Sequence, residues 1–232
     1  MVLLVDLDTQ KGKPTEHEAL RVVGNLVTPD GELAPGAASP ELREILAGRR
    51  QLVDEIATRK QQLEHLTSPL VRAQVEKTLA FLRQEAKALL ALLRQRIAAG
   101  AALAADYAQL TSMPGCGPIL AATLLAELPE LGTLDRRKVA ALAGLAPIAR
   151  DSGLRENRRV IKGGRGQVRN ALYMAVLASL KTDKSPLKAR YAQLVAKGKP
   201  PKLALAALMR KMLVTLNAMM KAKADWNDPR QK

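Results

Sequence analysis

The chain has 232 residues, a formal charge of +15 at neutral pH, a single cysteine and 2% aromatic residues. That length holds one domain with an appendage or two small domains, and it is enough for a buried core. One cysteine excludes an internal disulfide, and no stretch reaches the eighteen or so uncharged apolar residues of a membrane span. His17 and His65 stand far apart, without cysteines or acids at ligand spacing, which argues against zinc. With no signal-peptide layout at the amino terminus, a cytoplasmic protein with no membrane partner is expected.

The positive charge is unevenly spread. Residues 144–232 carry 20 Lys/Arg against 5 Asp/Glu, while residues 1–143 carry 17 of each. Basic side chains gain by displacing counterions from a phosphate backbone, so one end of the molecule is suited to nucleic acid. Solubility is the alternative reason for such charge.

In chain order, Met1–Asp8 reads as a short strand, and the Gly-, Pro- and Asp-rich stretch to about residue 39 reads as poorly structured. Ser39-Pro40-Glu41 combines a capping hydroxyl, a first-turn proline and an acid, which predicts a helix start. Leu42, Ile45, Leu52, Ile56, Leu63 and Leu66 then follow heptad spacing, interrupted by Arg49 and Arg59. After Ser68-Pro69 the pattern resumes through Val75, Leu79, Leu82, Ala86, Leu89 and Leu93 to about Gly100. Two long amphipathic helices are expected over 40–105, paired either within the chain as a hairpin or with a second copy as a coiled coil.

Residues 110–128 read as a helix end, a glycine-rich turn and a new helix opening at Pro118, a helix-hairpin-helix pattern. Gly115 and Gly117 allow a tight turn and close approach to a ligand, with the amides of the second helix facing a phosphate. The same pattern also joins two packed helices without a ligand. A short helix is expected from about Arg136 to Ala143, a small β-hairpin within 154–161, and a helix from Gly166 to about Leu180. Lys162, Arg165 and Arg169 cluster at the start of that helix, against its dipole, which calls for an anion there. Ser185-Pro186 opens the next helix, and Leu205, Leu208, Met212, Leu216 and Met219 mark a last one from about Lys202 to Lys223. The fold class is therefore mainly α, with 1–39 as an incomplete remnant, a hairpin over 40–105, a helical domain over 106–225 and a tail over 226–232.

Ser152 lies between Asp151 and Gly153, with Arg150, Arg155, Arg158 and Arg159 close in sequence. A serine hydroxyl attacks poorly until a base takes its proton and developing charge is stabilised. Arginine forks suit the oxygens of a phosphoryl group under attack, but no residue identifies itself as the base. On residue types alone, Asp-Ser-Gly is first of all a turn.

The segments Leu110–Leu128, Ala141–Pro147, Arg150–Gly153, Arg158-Arg159 and Gly163–Met174 together resemble the carboxy-terminal transposase domain of the insertion-sequence one-ten family. Gly198–Lys202, Glu41–Ile45 and Arg49–Leu52 extend the resemblance over residues 40–223. These are DEDD-type transposases guided by a structured bridge RNA. The resemblance implies Ser152 as a nucleophile that becomes joined to a DNA end. Turn chemistry and charge, read from the residues themselves, add a nucleic-acid interface including Gly115, Gly117, Arg150, Arg155, Arg158, Arg159, Lys162, Arg165 and Arg169. The resemblance also implies DNA as partner, a guide RNA, homo-oligomers, and a magnesium site built from four acids of an amino-terminal domain. Here the sequence departs from the pattern. Thr15-Glu-His-Glu-Ala19 stands where an Asp-x-x-Asp pair is expected, and Asp6 or Asp8 reads either as a stand-in for a first ligand or as an ordinary surface acid. The expectation is a member truncated or decayed at its amino terminus, either a serine-using recombinase or a binding and dimerising module without catalysis.

Overall fold

A computed structural model describes residues 40–148, 160–161, 163–182 and 185–227. The expected remnant over 1–39 lies outside the described residues. The described chain is mainly helical: α1 Pro40–His65, α2 Pro69–Ala98, α3 Ala101–Ser112, α4 Pro118–Glu127, α5 Arg136–Leu142, α6 Gly166–Leu180, α7 Pro186–Ala196 and α8 Pro201–Ala222. Five of these helices open on a proline, whose missing N–H falls where the first turn has no acceptor to offer. Caps add to this at two starts. The Asp135 carboxylate accepts from the N–H groups of Arg137 and Lys138, and the Ser185 hydroxyl accepts from Leu187 N–H.

α1 and α2 pair within the chain as a helical hairpin. Of the heptad positions, Leu42, Ile45, Val75, Leu79, Ala86 and Leu93 are buried, while Leu52, Ile56, Leu63, Leu66, Leu82 and Leu89 are half-buried. Arg59 leaves the seam to bond Glu55 and Gln62. Arg49 keeps its Nε buried without a partner among the described residues. Burial also lowers the Arg49 guanidinium from its ordinary pKa.

The base of the hairpin sits on α4. Leu42, Ile45, Leu46, Leu93 and Ile97 pack with Ala122 and Ala126, one turn apart on α4, whose methyl side chains let α1 come close. Arg43 Nε donates to Ala126 O at 2.8 Å, placing a cation at the carboxy-terminal end of α4. α4 is apolar on all sides because it is covered on all sides. Its other flank joins the main core, with Leu110, Leu120, Leu124, Val139, Val168, Leu172, Val176, Leu187 and Leu194.

α8 runs through that core. By length and apolar composition it is a helix that could cross a membrane. Here Leu205, Leu208, Met212, Leu213, Leu216 and Met220 pack against the neighbouring helices. Polar ties fix its end: Gln109 Nε2 donates to Met219 O and Ala224 O, both at 2.7 Å.

The small β element differs from its expected position. Val160–Ile161 pairs antiparallel with Pro147–Ile148, in register Pro147↔Ile161 and Ile148↔Val160, rather than closing within 154–161. Residues 154–159 lie outside the described residues. The ladder joins segments that flank the arginine-rich stretch, a pairing that periodicity cannot show because neither arm is long enough to alternate.

Candidate nucleic-acid interface

The turn between α3 and α4 is built around Gly115. Its φ is +92°, and a Cβ there would overlap Ser179 Oγ and come within 3.2 Å of Met212 Cε. Both the backbone and the packing of α6 and α8 therefore require glycine. Gly117 is different: it caps α4 in extended conformation, and a Cβ built on it would meet nothing within 4 Å among the described residues. Cys116, between them, is buried, and burial pushes its thiol up to about 12, so it is core rather than nucleophile.

The segment carrying Ser152 enters and leaves through a narrow frame. Ser152, Arg150, Arg155, Arg158, Arg159 and Lys162 themselves lie outside the described residues. On the described side, the chain leaves at Ile148 and returns at its ladder partner Val160. Just outside the ladder, Gly144 (φ +67°) and Gly164 (φ +61°) cross in contact. A Cβ on Gly144 would overlap Gly163 O, and one on Gly164 would overlap Gly144 N and reach Leu142 O at 2.5 Å. Arg165 N donates to Leu142 O at 2.7 Å across the same crossing.

Two of the arginines expected at the interface belong to this frame. Arg169 Nη1 donates to Gly163 O at 2.6 Å. Arg165, the residue that caps α6, meets Glu130 through both Nη atoms, with Nη2 to Oε1 at 2.6 Å. The anion expected beside these cations is thus supplied to Arg165 by the chain itself. Burial alone would raise the Glu130 carboxyl. The Arg165 hydrogen bond, a backbone hydrogen bond at Glu130 and the charges of Arg165 and Arg43 outweigh burial and hold it below its ordinary value. Nothing in the sequence singles out Glu130, since no local pattern links residues 35 apart.

Residues 107–192 match the sequence profile of the transposase IS116/IS110/IS902 family. The chain is also 36% identical over 122 residues to the "Insertion element IS900 uncharacterized 42 kDa protein" of Mycobacterium paratuberculosis, covering 49% of this chain and 29% of that protein. The chain thus spans less than a third of the length of this relative. The transposase-like region begins at Tyr107 in α3 and ends at Ala192 in α7, so it includes the glycine turn, Glu130, the crossing glycines and Ser152. α8 lies beyond it, yet α8 supplies a large share of the core on which that region closes.

Proposed function

We propose that this chain provides the DNA-binding and strand-transfer region of an insertion-sequence transposase, with Ser152 as nucleophile. The observation that carries this reading is the transposase match over 107–192, which spans the Asp-Ser-Gly segment and the arginines around it. In support, both ends of that segment are tied by a β ladder, a glycine crossing and the Arg165–Glu130 pair. The described residues that flank the segment thus form a fixed frame on either side of it.

In the step proposed, Ser152 Oγ attacks a backbone phosphodiester. A phosphoserine ester forms, the bond to one deoxyribose oxygen breaks, and the serine proton ends on that oxygen, so one ester replaces another. Arg150, Arg155, Arg158 and Arg159 stabilise the charge on the phosphoryl oxygens. Among the described residues no three of His, Cys, Asp or Glu gather where they could hold a metal ion, and Asp6 and Asp8 lie outside the described residues. A guide RNA and self-association through the α1–α2 hairpin complete the proposal.

The test is a duplex nicked beside the scissile phosphate, which traps a serine–DNA adduct on a denaturing gel. A full-length relative with its own serine replaced is added, so that mixed oligomers can form. An adduct carrying this chain is expected, and Ser152→Ala should abolish it while changing DNA affinity less than about twofold, since one hydroxyl is a small part of many phosphate contacts. An adduct that survives Ser152→Ala overturns the nucleophile. DNA binding without any adduct identifies a non-catalytic binding module.

A further inference from the structure

A second basic surface lies away from the Ser152 frame. Arg136 and Arg137 at the start of α5 face Arg210 and Lys211 on α8 across a cleft completed by Ala207 and Val214. On α8 these four lining positions follow i, i+3, i+4 and i+7 spacing, which makes them a single stripe. The adjoining positions Leu205, Leu208, Met209, Met212 and Leu213 are buried in the core. We propose that this cleft seats the phosphate backbone of duplex DNA. The proposal rests on the transposase reading for its choice of DNA and adds a surface that the reading does not contain.

Three observations carry it. First, the cleft gathers four cations with no acid in its lining. Neither α5 nor α8 contains an acidic residue, and Asp135, the nearest acid in sequence, is engaged as the α5 cap by the Arg137 and Lys138 amides at 2.6 and 2.9 Å, with Lys138 Nζ at 3.9 Å. Elsewhere Arg43, Arg50, Arg59, Arg72, Arg96 and Arg165 each meet a carboxylate or a carbonyl. Among the described residues, no ion pair engages the side chains of Arg136, Arg137, Arg210 or Lys211. Gathered like charges repel, and a polyanion relieves that repulsion while releasing its counterions.

Second, the two walls are locked together. Asn217, buried on α8, accepts from Gly132 N at 2.8 Å and donates to Leu134 O at 2.8 Å, fixing the turn that leads into α5. A Cβ on Gly132 would approach Met220 to 3.0 Å, so this turn lies directly on α8. The cations are therefore carried on a pre-formed scaffold, which lowers the ordering cost of binding.

Third, the lining contains no aromatic side chain. Single-stranded nucleic acid is usually held by bases stacked on aromatic rings, whereas a charged cleft without rings suits a duplex held by its backbone. Arg210 and Lys211 also lie outside the residues that match the transposase profile.

The experiment measures binding of the full chain to unrelated 30-base-pair DNA duplexes, and to a duplex RNA, by fluorescence anisotropy over a salt series. The variant Arg136→Gln/Arg137→Gln/Arg210→Gln/Lys211→Gln is compared with wild type. A control, Lys60→Gln/Lys77→Gln/Lys87→Gln/Arg94→Gln, removes equal charge from the hairpin. With about 0.9 units of log–log salt slope per neutralised phosphate, the cleft variant should lose about three and a half units of slope and at least tenfold in affinity on every DNA sequence alike. The control should lose less than about threefold. Equal loss in both variants, or none in the cleft variant while wild type binds DNA, overturns the cleft and leaves the transposase reading standing. A wild-type chain that binds no DNA overturns both, and binding confined to the RNA duplex overturns the choice of DNA. Should the four-fold variant lose its helical circular dichroism, Arg137→Gln/Lys211→Gln, both at exposed positions, reads the same quantity with a loss of about two units of slope.

Discussion

Glu130 and Arg165 form a two-pronged ion pair that ties the turn after α4 to the residue capping α6, with side chains 22% and 17% exposed. At that degree of burial the pair is only partly screened by solvent, and either partner left alone would be a poorly hydrated charge. The pair also sets where the chain re-enters the core after the Ser152 segment.

Glu130→Gln should therefore destabilise the protein by about 1.5–3 kcal/mol at neutral pH, the range for hydrogen bonds to charged groups. The folded-state carboxyl lies below its ordinary value of 4.5. Its contribution is thus fully present above that value and is lost as pH falls through the lower folded value. Urea midpoints at pH 7 and pH 3 check this. The gap between wild type and Glu130→Gln should narrow at the lower pH, and a gap of constant size would mean that the pair does not titrate with stability.

The crossing of Gly144 and Gly164 makes a second, non-electrostatic prediction. Alanine at either position meets backbone atoms in a left-handed conformation, so each substitution should cost at least about 2–3 kcal/mol. Gly198 has φ +78° but open space around its Cβ position among the described residues, so Gly198→Ala should cost only about 1 kcal/mol. Thermal melts of the three variants separate the steric contribution from the conformational one. Equal shifts would show that the crossing segments can move apart.

The α1–α2 hairpin exposes Val53, Leu70, Val71 and Phe81, of which Leu70 is 85% and Phe81 60% exposed. If the chain associates through this hairpin, as proposed, sedimentation velocity at about ten micromolar should show more than the monomer mass, a concentration matched to roughly micromolar affinity. Leu70→Glu/Phe81→Glu should return the monomer without lowering the melting temperature, because neither side chain supports the core. A wild-type monomer, or association untouched by the double variant, would remove the hairpin from the interface.

Local chemistry was enough to locate the helices. Prolines at 40, 69, 118, 186 and 201, the caps at Asp135 and Ser185, and the spacing of Val168, Leu172 and Val176 or of Leu205, Leu208 and Met212 are properties of neighbouring residues, and they act whatever the rest of the chain does. The mainly α class was legible for the same reason. Pairing between distant segments was not. Gly115 was open to two readings, close approach of a ligand or a joint between packed helices, and the atoms that approach it are Ser179 Oγ and Met212 Cε. Arg165 was expected to await an outside anion, and Glu130 meets it. Ala122 and Ala126 carry no local signal for the contact that α1 makes with them. The cleft cations, Arg136 and Arg137 with Arg210 and Lys211, come together where α5 packs on α8 and Asn217 fastens α8 to the turn that starts α5. Helix formation depends on bonds and side chains within a few residues, so sequence determines it directly. Which charge finds a partner and which is left facing outward depends on how the helices pack, and that was decided by the shared core.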